Sequence, residues 1–437
     1  MMVLQSTLVL FGVFFIMLFA GVPISVGIGI ASIVTALFSF DPSVFAVTAA
    51  QRAFSGIDSF SLLALPMFML AGNIMNKGGI AQRLVRLARL LVGWIPGYLA
   101  ATNVLANMFF GAISGSSVAA TSAMGSIMSP LEKEEGYDPN YSAAVNICSA
   151  PTGIIIPPSG PLILYSITAG GVSVAALFVG GYLPGLVLGL CVMGVAIFMA
   201  KKRGYTASTV KEDTPAIKII IDAIPSLFAV VLVMVGIMKG WFTATEAGVV
   251  CVLYCTLLAL LYKELTWKDL YNMLADTMVS SSTILFLISA STIMSYVMSY
   301  SGIPATISSL LMGISDNKYI ILLVMNAFLL IMGMFLDLTP AVLIFTPIFL
   351  PIATSIGMHP VHFGIMLILN LGIGSVTPPV GSCLFVGCKV AGVSIEGVTK
   401  FIIPIFIAMI VALLIVTYFP PLSLFIPYIT GLVNTMW

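Results

Sequence analysis

Charged side chains are scarce in this sequence. Asp, Glu, Lys and Arg make up 8% of the 437 residues, there are two histidines, and the formal net charge is +1. A soluble domain usually carries about 25% charged residues. So few charges cannot cover the surface of a soluble chain this long, and they supply no basic face for the phosphates of nucleic acid. The scarcity therefore excludes a soluble enzyme, a secreted module and a nucleic-acid-binding protein.

Two further signals are absent. The six cysteines lie in apolar runs without other soft ligands, so we expect no transition-metal site. The N-terminus lacks the basic segment of a secretory signal, so we expect the first apolar run to be kept as a membrane span.

What the sequence does contain is a series of long apolar runs, which favours an all-α polytopic membrane protein. A β-barrel would show alternating segments of roughly ten residues instead. Ten runs are predicted to be full spans, and four shorter ones to form two re-entrant helical hairpins. The predicted runs are 4–21, 23–40, 57–76, 96–112, 117–130, 139–169, 175–200, 218–238, 243–262, 276–300, 318–334, 338–352, 361–388 and 399–427.

The hairpins are predicted from two pairs of short runs, 96–112 with 117–130 and 318–334 with 338–352. A polar break containing Ser114, Ser116 and Ser117 separates the first pair, and Asp337 with Thr339 separates the second. A helix of about 15 residues rises only about 22 Å, which is short of the roughly 30 Å hydrocarbon core. We therefore expect both tips to stop inside the membrane, covered by protein or a wet cavity.

Basic residues predict the orientation. With the loop at 201–203 in the cytoplasm, 14 of the 17 basic residues (Lys211 among them) fall on that side, leaving Arg52, Lys239 and Lys318 outside. Both termini then face the periplasm, and the two hairpins enter from opposite faces. Arginines every third residue between Ile80 and Leu91 predict an amphipathic helix on the cytoplasmic surface.

An internal repeat relates the two halves of the chain. Between 130–173 and 351–394, 11 of 44 positions match, mostly Gly and Pro, where composition would give about three. Inverted repeats with interrupted helices are a recurring design of secondary transporters.

Each half also contains a predicted broken helix. Ser149-Ala-Pro-Thr-Gly153 precedes Pro157-Pro-Ser-Gly160, and Asn370-Leu-Gly-Ile-Gly374 precedes Thr377-Pro-Pro-Val-Gly381. Proline removes hydrogen-bond donors and glycine permits an unwound turn, so carbonyl oxygens are freed near mid-membrane. Carbonyls with hydroxyls suit sodium, and the positive ends of half-helices suit an anion. The hydroxyls could instead bond their own backbone, and Asp337 could instead cap a helix.

The runs 111–125, 149–159 and 370–381, with the motifs quoted above, resemble the large membrane subunit of tripartite ATP-independent periplasmic (TRAP) transporters, the DctM-like family. The resemblance implies a sodium-driven importer of organic acids, such as a C4-dicarboxylate, a sialic acid or another sugar acid, in a bacterial inner membrane. It implies an elevator-type fold, a small four-helix membrane subunit on a separate polypeptide, and a periplasmic substrate-binding protein. No cofactor other than sodium as coupling ion is expected.

The same resemblance maps the ion sites onto the hairpin tip and broken helix of each half. The expected sodium-binding residues are Ser114, Ser117, Ser149, Gly153, Asp337, Thr339, Gly372, Gly374 and Thr377. The expected substrate-binding residues are Ser116, Thr152, Pro157, Ser159 and Pro378.

Five regions are expected along the chain. Scaffold helices with the amphipathic arm occupy 1–92, and 175–316 holds further scaffold helices with a second arm. The two halves of the transport domain occupy 93–174 and 317–396, and a C-terminal helix occupies 397–437.

Three alternatives stay open. A stand-alone sodium/anion symporter of the related divalent-anion class would need no partner. An intramembrane serine hydrolase using Ser116 or Ser117 would need a base, but the two histidines, His359 and His362, are expected in an outer loop away from that tip. A passive channel suits paired asymmetric hairpins less well than alternating access does.

Overall fold

The computed structural model describes residues 2–207, 215–315, 317–378 and 381–435. Lys211, Pro379 and Val380, which entered the predictions above, lie outside the described residues. Within those ranges the regular structure is helical.

The first half of the chain contains eleven α-helices and one short 3-10 helix at Phe60–Leu63. They are α1 Met2–Phe19, α2 Ile24–Ala36, α3 Pro42–Ile57, α4 Ala64–Lys77, α5 Ile80–Val92, α6 Tyr98–Ser114, α7 Ser117–Glu134, α8 Pro139–Ser149, α9 Thr152–Ile155, α10 Gly160–Thr168 and α11 Val174–Lys202.

The second half continues with ten α-helices in the described residues. They are α12 Ala216–Met238, α13 Ala244–Leu261, α14 Trp267–Tyr300, α15 Ile303–Ile314, α16 Lys318–Phe335, α17 Leu338–Ser355, α18 Pro360–Gly374, α19 Ser382–Ala391, α20 Ile395–Tyr418 and α21 Pro421–Ile429.

Seven of these helices are long and apolar enough to cross a bilayer. Two further pairs of helices, each bent at a short break, raise the number to nine if each pair is counted as one span. The seven are α11, α12, α13, α14, α16, α17 and α20. The predicted run 57–76 corresponds to the 3-10 helix and α4. Together these follow α3 with a bend of 54° between the two segments. The predicted run 23–40 contains only the 13-residue α2. The predicted spans 4–21, 23–40 and 361–388 are not among the nine, because their helices are shorter, whereas α16 and α17, predicted as arms of a hairpin, are.

Two of the helices beside the predicted tips, α7 and α17, are longer than the predicted runs 117–130 and 338–352. α6 has 17 residues, and α7, α16 and α17 have 18 each. An 18-residue helix rises about 27 Å, so length alone does not distinguish a re-entrant hairpin from two spans. The apolar pattern underestimated α7 and α17 because polar residues at their C-terminal ends, such as Glu134 and Ser355, remain helical.

Both predicted helix interruptions are present. α8 ends at Ser149, and α8–α9 meets α10 at an angle of 50° across a gap from Ile156 to Ser159. α18 ends at Gly374, and α19 begins at Ser382. Proline has no N–H and cannot continue the ladder of helical hydrogen bonds, so the backbone unwinds at both places.

A glycine-to-glycine contact packs each interruption against the first helix of its hairpin. An ideal Cβ on Gly111 of α6 would lie 2.4 Å from the Cα of Gly153. In the second half, a Cβ on Gly333 of α16 would lie 3.1 Å from the Cα of Gly374. No side chain fits between these backbones, so hairpin and interrupted helix touch directly.

The predicted amphipathic helix is confirmed as α5, Ile80–Val92. Most of its apolar residues, including Leu84 and Val85, are buried, whereas Arg86 is exposed. Arg83 pairs with Glu264 at 3.3 Å and lies over the ring of Tyr262.

The glycine contacts predict a stability effect. Gly111→Ala should lower the melting temperature of the purified protein, because its methyl group meets backbone that cannot rotate away; overpacking of this kind costs roughly 1–3 kcal/mol. Gly333→Ala should act in the same direction. The control is Gly194→Ala on α11, where nothing lies within 4 Å. Equal melting temperatures for all three variants would contradict the direct contact.

Candidate functional site

The two hairpin tips meet at one cavity of about 140 Å³, although about 220 residues separate them in sequence. Residues 114–117 line one side, and residues 337–339 line another. The rest of the lining comes from α4, α10 and α14, through Leu65, Phe68, Met69, Gly160, Pro161 and Ile284 among others.

Asp337 occupies the N-cap position of α17, but its side chain makes no capping hydrogen bond. Its Oδ1 instead accepts a hydrogen bond from the hydroxyl of Ser382 at 3.0 Å, and the side chain is exposed at the cavity. The capping role left open by the sequence is therefore absent from this conformation. The carboxylate keeps acceptor capacity toward the cavity.

The first tip is built differently. Gly115 adopts a left-handed backbone with φ of 61°, which ends α6. Ser116 then caps α7, since its Oγ accepts from the amide of Ala119 at 3.3 Å. Ser114 donates weakly to the carbonyl of Ser116 at 3.5 Å.

The predicted site residues of the first broken helix do not line the cavity, although Ile154 and Gly160 of the same segment do. Ser149, Thr152 and Ser159 are fully buried. Thr152 donates to the carbonyl of Ser149 at 2.6 Å, and Ser159 donates to the carbonyl of Ile154. These hydroxyls thus bond their own backbone, as the alternative interpretation expected, although each oxygen keeps a lone pair. Pro157 and Gly153 are also buried.

The second broken helix is arranged in the same way. Thr377 donates to the carbonyl of Ile373 at 3.1 Å. The carbonyl of Gly372 accepts from Ser375 at 2.7 Å, and that of Gly374 accepts from the amide of Thr377 at 3.0 Å. None of the predicted residues in this segment, Gly372, Gly374, Thr377 and Pro378, lines the cavity.

The structure therefore gathers five of the predicted site residues around one space and places the others in a layer beneath it. The five are Ser114, Ser116, Ser117, Asp337 and Thr339. Ser382, the hydrogen-bond partner of Asp337, and the apolar lining from α4 were not predicted, because single serines and apolar side chains are common in every span.

Helix ends set the electrostatics of the cavity. The N-termini of α7, α10 and α17 begin at Ser117, Gly160 and Leu338, all of which line it. A helix N-terminus carries a partial positive charge and unpaired N–H groups. The described lining contains Asp337 but no Lys, Arg or His.

Buried asparagines join hairpin and broken helix in each half. The side-chain amide of Asn107 on α6 donates to Ser149 at 2.9 Å and to Asn146 at 3.1 Å, both on α8. In the second half, the amide of Asn370 on α18 donates to the side-chain oxygen of Asn326 on α16 at 2.8 Å. Neither contact was predicted from the sequence, because each joins residues about 40 positions apart.

The fold and cavity define a polytopic helical membrane protein with paired helix tips around an internal site. A family model described as "Tripartite ATP-independent periplasmic transporter, DctM component" matches residues 11–422. The chain belongs to this family of large permease subunits and is not an enzyme.

Individual relatives agree over nearly the whole chain. The uncharacterized protein YgiK of Salmonella typhimurium is 48% identical over 96% of this chain and 97% of its own length. The sialic acid TRAP transporter large permease protein SiaM of Vibrio cholerae is 32% identical over 94% of this chain and 96% of its own length.

A solved structure is similar in fold. The YdaH transporter of Alcanivorax borkumensis, described as having an unusual topology, gives a TM-score of 0.64 over 86% of this chain and 88% of its own, at 13% identity.

Removal of a polar side chain is predicted to affect the stability of the protein differently at the two tips. Ser116→Ala should destabilise the protein by about 1 kcal/mol, since it removes a helix cap. Asp337→Ala occupies the matching N-cap position but removes no capping bond, so its melting temperature should stay close to that of wild type. The measurement is thermal unfolding of both variants in one detergent and sodium-free buffer. A larger loss for Asp337→Ala would show that the carboxylate does cap α17.

Proposed function

We propose that this chain is the transport subunit of a sodium-driven, binding-protein-dependent importer of organic acid anions in a bacterial inner membrane. The observation that carries the proposal is the convergence of both hairpin tips on one cavity, with Asp337 opposite the serines at 114–117. Carboxylate and hydroxyl oxygens are suitable ligands for a hard cation. Three helix N-termini at the same cavity suit the carboxylate of a substrate.

The proposed substrate class follows from the chemistry of the lining and from the relatives. The cavity offers helix ends and hydroxyls instead of an arginine, which fits a carboxylate such as a C4-dicarboxylate, a sialic acid or another sugar acid. Relatives are named for sialic acid, C4-dicarboxylate and 2,3-diketo-L-gulonate.

The proposed mechanism is elevator-type alternating access by two inverted repeats. The tips belong to the proposed transport domain, 93–174 with 317–396. The apolar wall, from Phe68 on α4 to Ile284 on α14, belongs to the proposed scaffold. A cavity lined from both sides is the arrangement expected where a moving domain slides against a fixed one. The hairpins are proposed to be re-entrant, with both chain termini in the periplasm.

The proposed partners are a small four-helix membrane subunit and a periplasmic substrate-binding protein. Membership of the family supports them. One relative, the isethionate permease DctMQ of Oleidesulfovibrio alaskensis, is 38% identical over 95% of this chain, which spans 66% of that protein.

Uptake into proteoliposomes tests the function. With both membrane subunits reconstituted, uptake of an acid that the binding protein recognises should require that protein outside and an inward sodium gradient. The rate should rise with sodium with a Hill coefficient above one, since each half supplies a proposed ion site. Full uptake without the binding protein would instead support the stand-alone symporter, and a hyperbolic sodium dependence would contradict two cooperating sites.

Asp337→Asn tests the ion site. The change keeps size and removes the negative charge, and because Asp337 caps nothing, folding should be preserved. If the carboxylate serves sodium, the sodium concentration for half-maximal uptake should rise several-fold or more, at a nearly unchanged melting temperature. Ser382→Ala is the matched control, since it removes the partner of Asp337 while leaving the charge. An Asn variant with wild-type sodium dependence would remove Asp337 from the ion site.

A further inference from the structure

Glu132 is a buried acid that the proposed transport mechanism does not use. It lies in the last turn of α7 with 1% of its surface exposed, and it is the only acidic residue in the described chain that is buried to this degree. Its Oε1 accepts a hydrogen bond from the side-chain amide of Asn103 on α6 at 3.2 Å. The neighbouring Glu134 and Glu135 are exposed.

Among the described residues, no Lys or Arg forms an ion pair with this carboxyl group. The ion pairs among the described residues join Lys77 with Asp269, Arg83 with Glu264, and Arg203 with Asp138. An ionised carboxylate buried without a cation is strongly unfavourable, so such groups normally take up a proton.

The second oxygen of the carboxyl group has one polar neighbour. Among the described residues, Glu132 Oε2 and Ser142 Oγ on α8 are both buried without another hydrogen-bond partner. The Ser142 hydroxyl lies beside the carboxyl group. A hydroxyl both donates and accepts, so Ser142 can accept the hydrogen bond of a protonated Glu132.

The remaining polar groups around Glu132 leave its charge uncompensated. Tyr98 of α6 donates to Glu135 at 3.0 Å, and Arg203 is engaged with Asp138 at 3.2 Å. Arg89 of α5 donates to Tyr98 at 3.4 Å. The titratable and charged groups around Glu132 on α5, α6, the end of α7, the following loop, α8, the end of α11 and the segment after it are Arg89, Tyr98, Glu135, Tyr137, Tyr141, Arg203 and Tyr205.

A chain of hydrogen bonds leads from Glu132 toward the broken helix. Asn103 bonds Glu132 through its amide, and its side-chain oxygen accepts from Asn107 at 2.9 Å. Asn107 in turn donates to Ser149 at the end of α8. Glu132 is therefore linked, through Asn103 and Asn107, to the contact between α6 and α8, and its protonation state can affect that contact.

We propose that Glu132 is a proton-binding site: in the conformation seen here it is a neutral acid that donates to Ser142 and accepts from Asn103. Loss of the proton places an uncompensated charge among α6, α7 and α8 and loosens their contact. The proposal is independent of whether sodium binds at the tips.

Infrared difference spectroscopy of the purified protein tests the site directly. Near neutral pH, wild type minus Glu132→Gln should show the carbonyl band of a protonated carboxylic acid. Gln preserves both contacts, because its oxygen accepts from Asn103 and its amide replaces the acid proton. Glu134→Gln, the exposed control two residues away, should give no such band. A carboxylate band lost in Glu132→Gln would overturn the proposal.

Ser142→Ala keeps the experiment decisive if Glu132→Gln folds poorly. This variant retains the acid and removes its acceptor, so the protonated-acid band should persist and shift to the frequency of a free carbonyl. Unchanged spectra would contradict the contact between Glu132 and Ser142.

The pH dependence of stability gives a second readout. A group that is neutral when folded and ionised when unfolded releases a proton on unfolding, so stability falls as pH rises. Between about pH 6 and about pH 8, above the ordinary titration range of an exposed glutamate, the melting temperature of wild type should fall relative to that of Glu132→Gln, and Glu134→Gln should follow wild type. Parallel curves for wild type and Glu132→Gln would overturn the proposal. Sodium-independent uptake, in contrast, would bear only on the proposed ion sites.

Discussion

The direct contact of backbone with backbone at two pairs of glycines is the constraint on which the rest of the structure depends. Gly111 against Gly153 and Gly333 against Gly374 allow each hairpin to lie on its broken helix with no side chain between them. Small residues are the general means by which membrane helices approach closely, because lipid provides no hydrophobic force to drive them together. With each tip held against its own interruption, the unwound segments are covered by protein, as polar backbone in a membrane requires.

Buried hydrogen bonds add to the glycine contacts between each hairpin and its broken helix. Beneath the tips, Asn107 ties α6 to α8, and Asn370 ties α18 to α16, so each half contains a buried amide at the same interface. The hydroxyls of Thr152 and Thr377 meanwhile donate to carbonyls of their own interrupted segments. The cavity is thus rimmed by the tips, and hydrogen-bonded amides and hydroxyls lie behind it. The side-chain oxygens of Asn107 and Asn370 have no partner among the described residues.

Local chemistry could be predicted from the sequence, and long-range pairing could not. The serines at 114–117 and Asp337 fall at breaks between helices, and both proline-containing interruptions lie where they were predicted, because Gly, Pro and polar residues act within a few positions of themselves. Helices α3 and α15 were not predicted as separate elements. The partnership of Asp337 with Ser382 and the burial of Glu132 were also missed, since each depends on which surfaces meet in the fold.

The two tips differ in a way that bears on how an ion and an anion could share one cavity. The N-termini of α7, α10 and α17 each contribute roughly half a positive charge, and Asp337 is the one ionisable residue in the described lining. The carboxylate makes no capping bond. When no cation is bound, its negative charge offsets much of the positive potential of the helix ends. A cation bound at Asp337 would cancel the carboxylate and leave the three helix ends unbalanced. Under the proposed function, sodium thereby turns a nearly neutral cavity into one that attracts a carboxylate, which couples the two ligands without any arginine in the site.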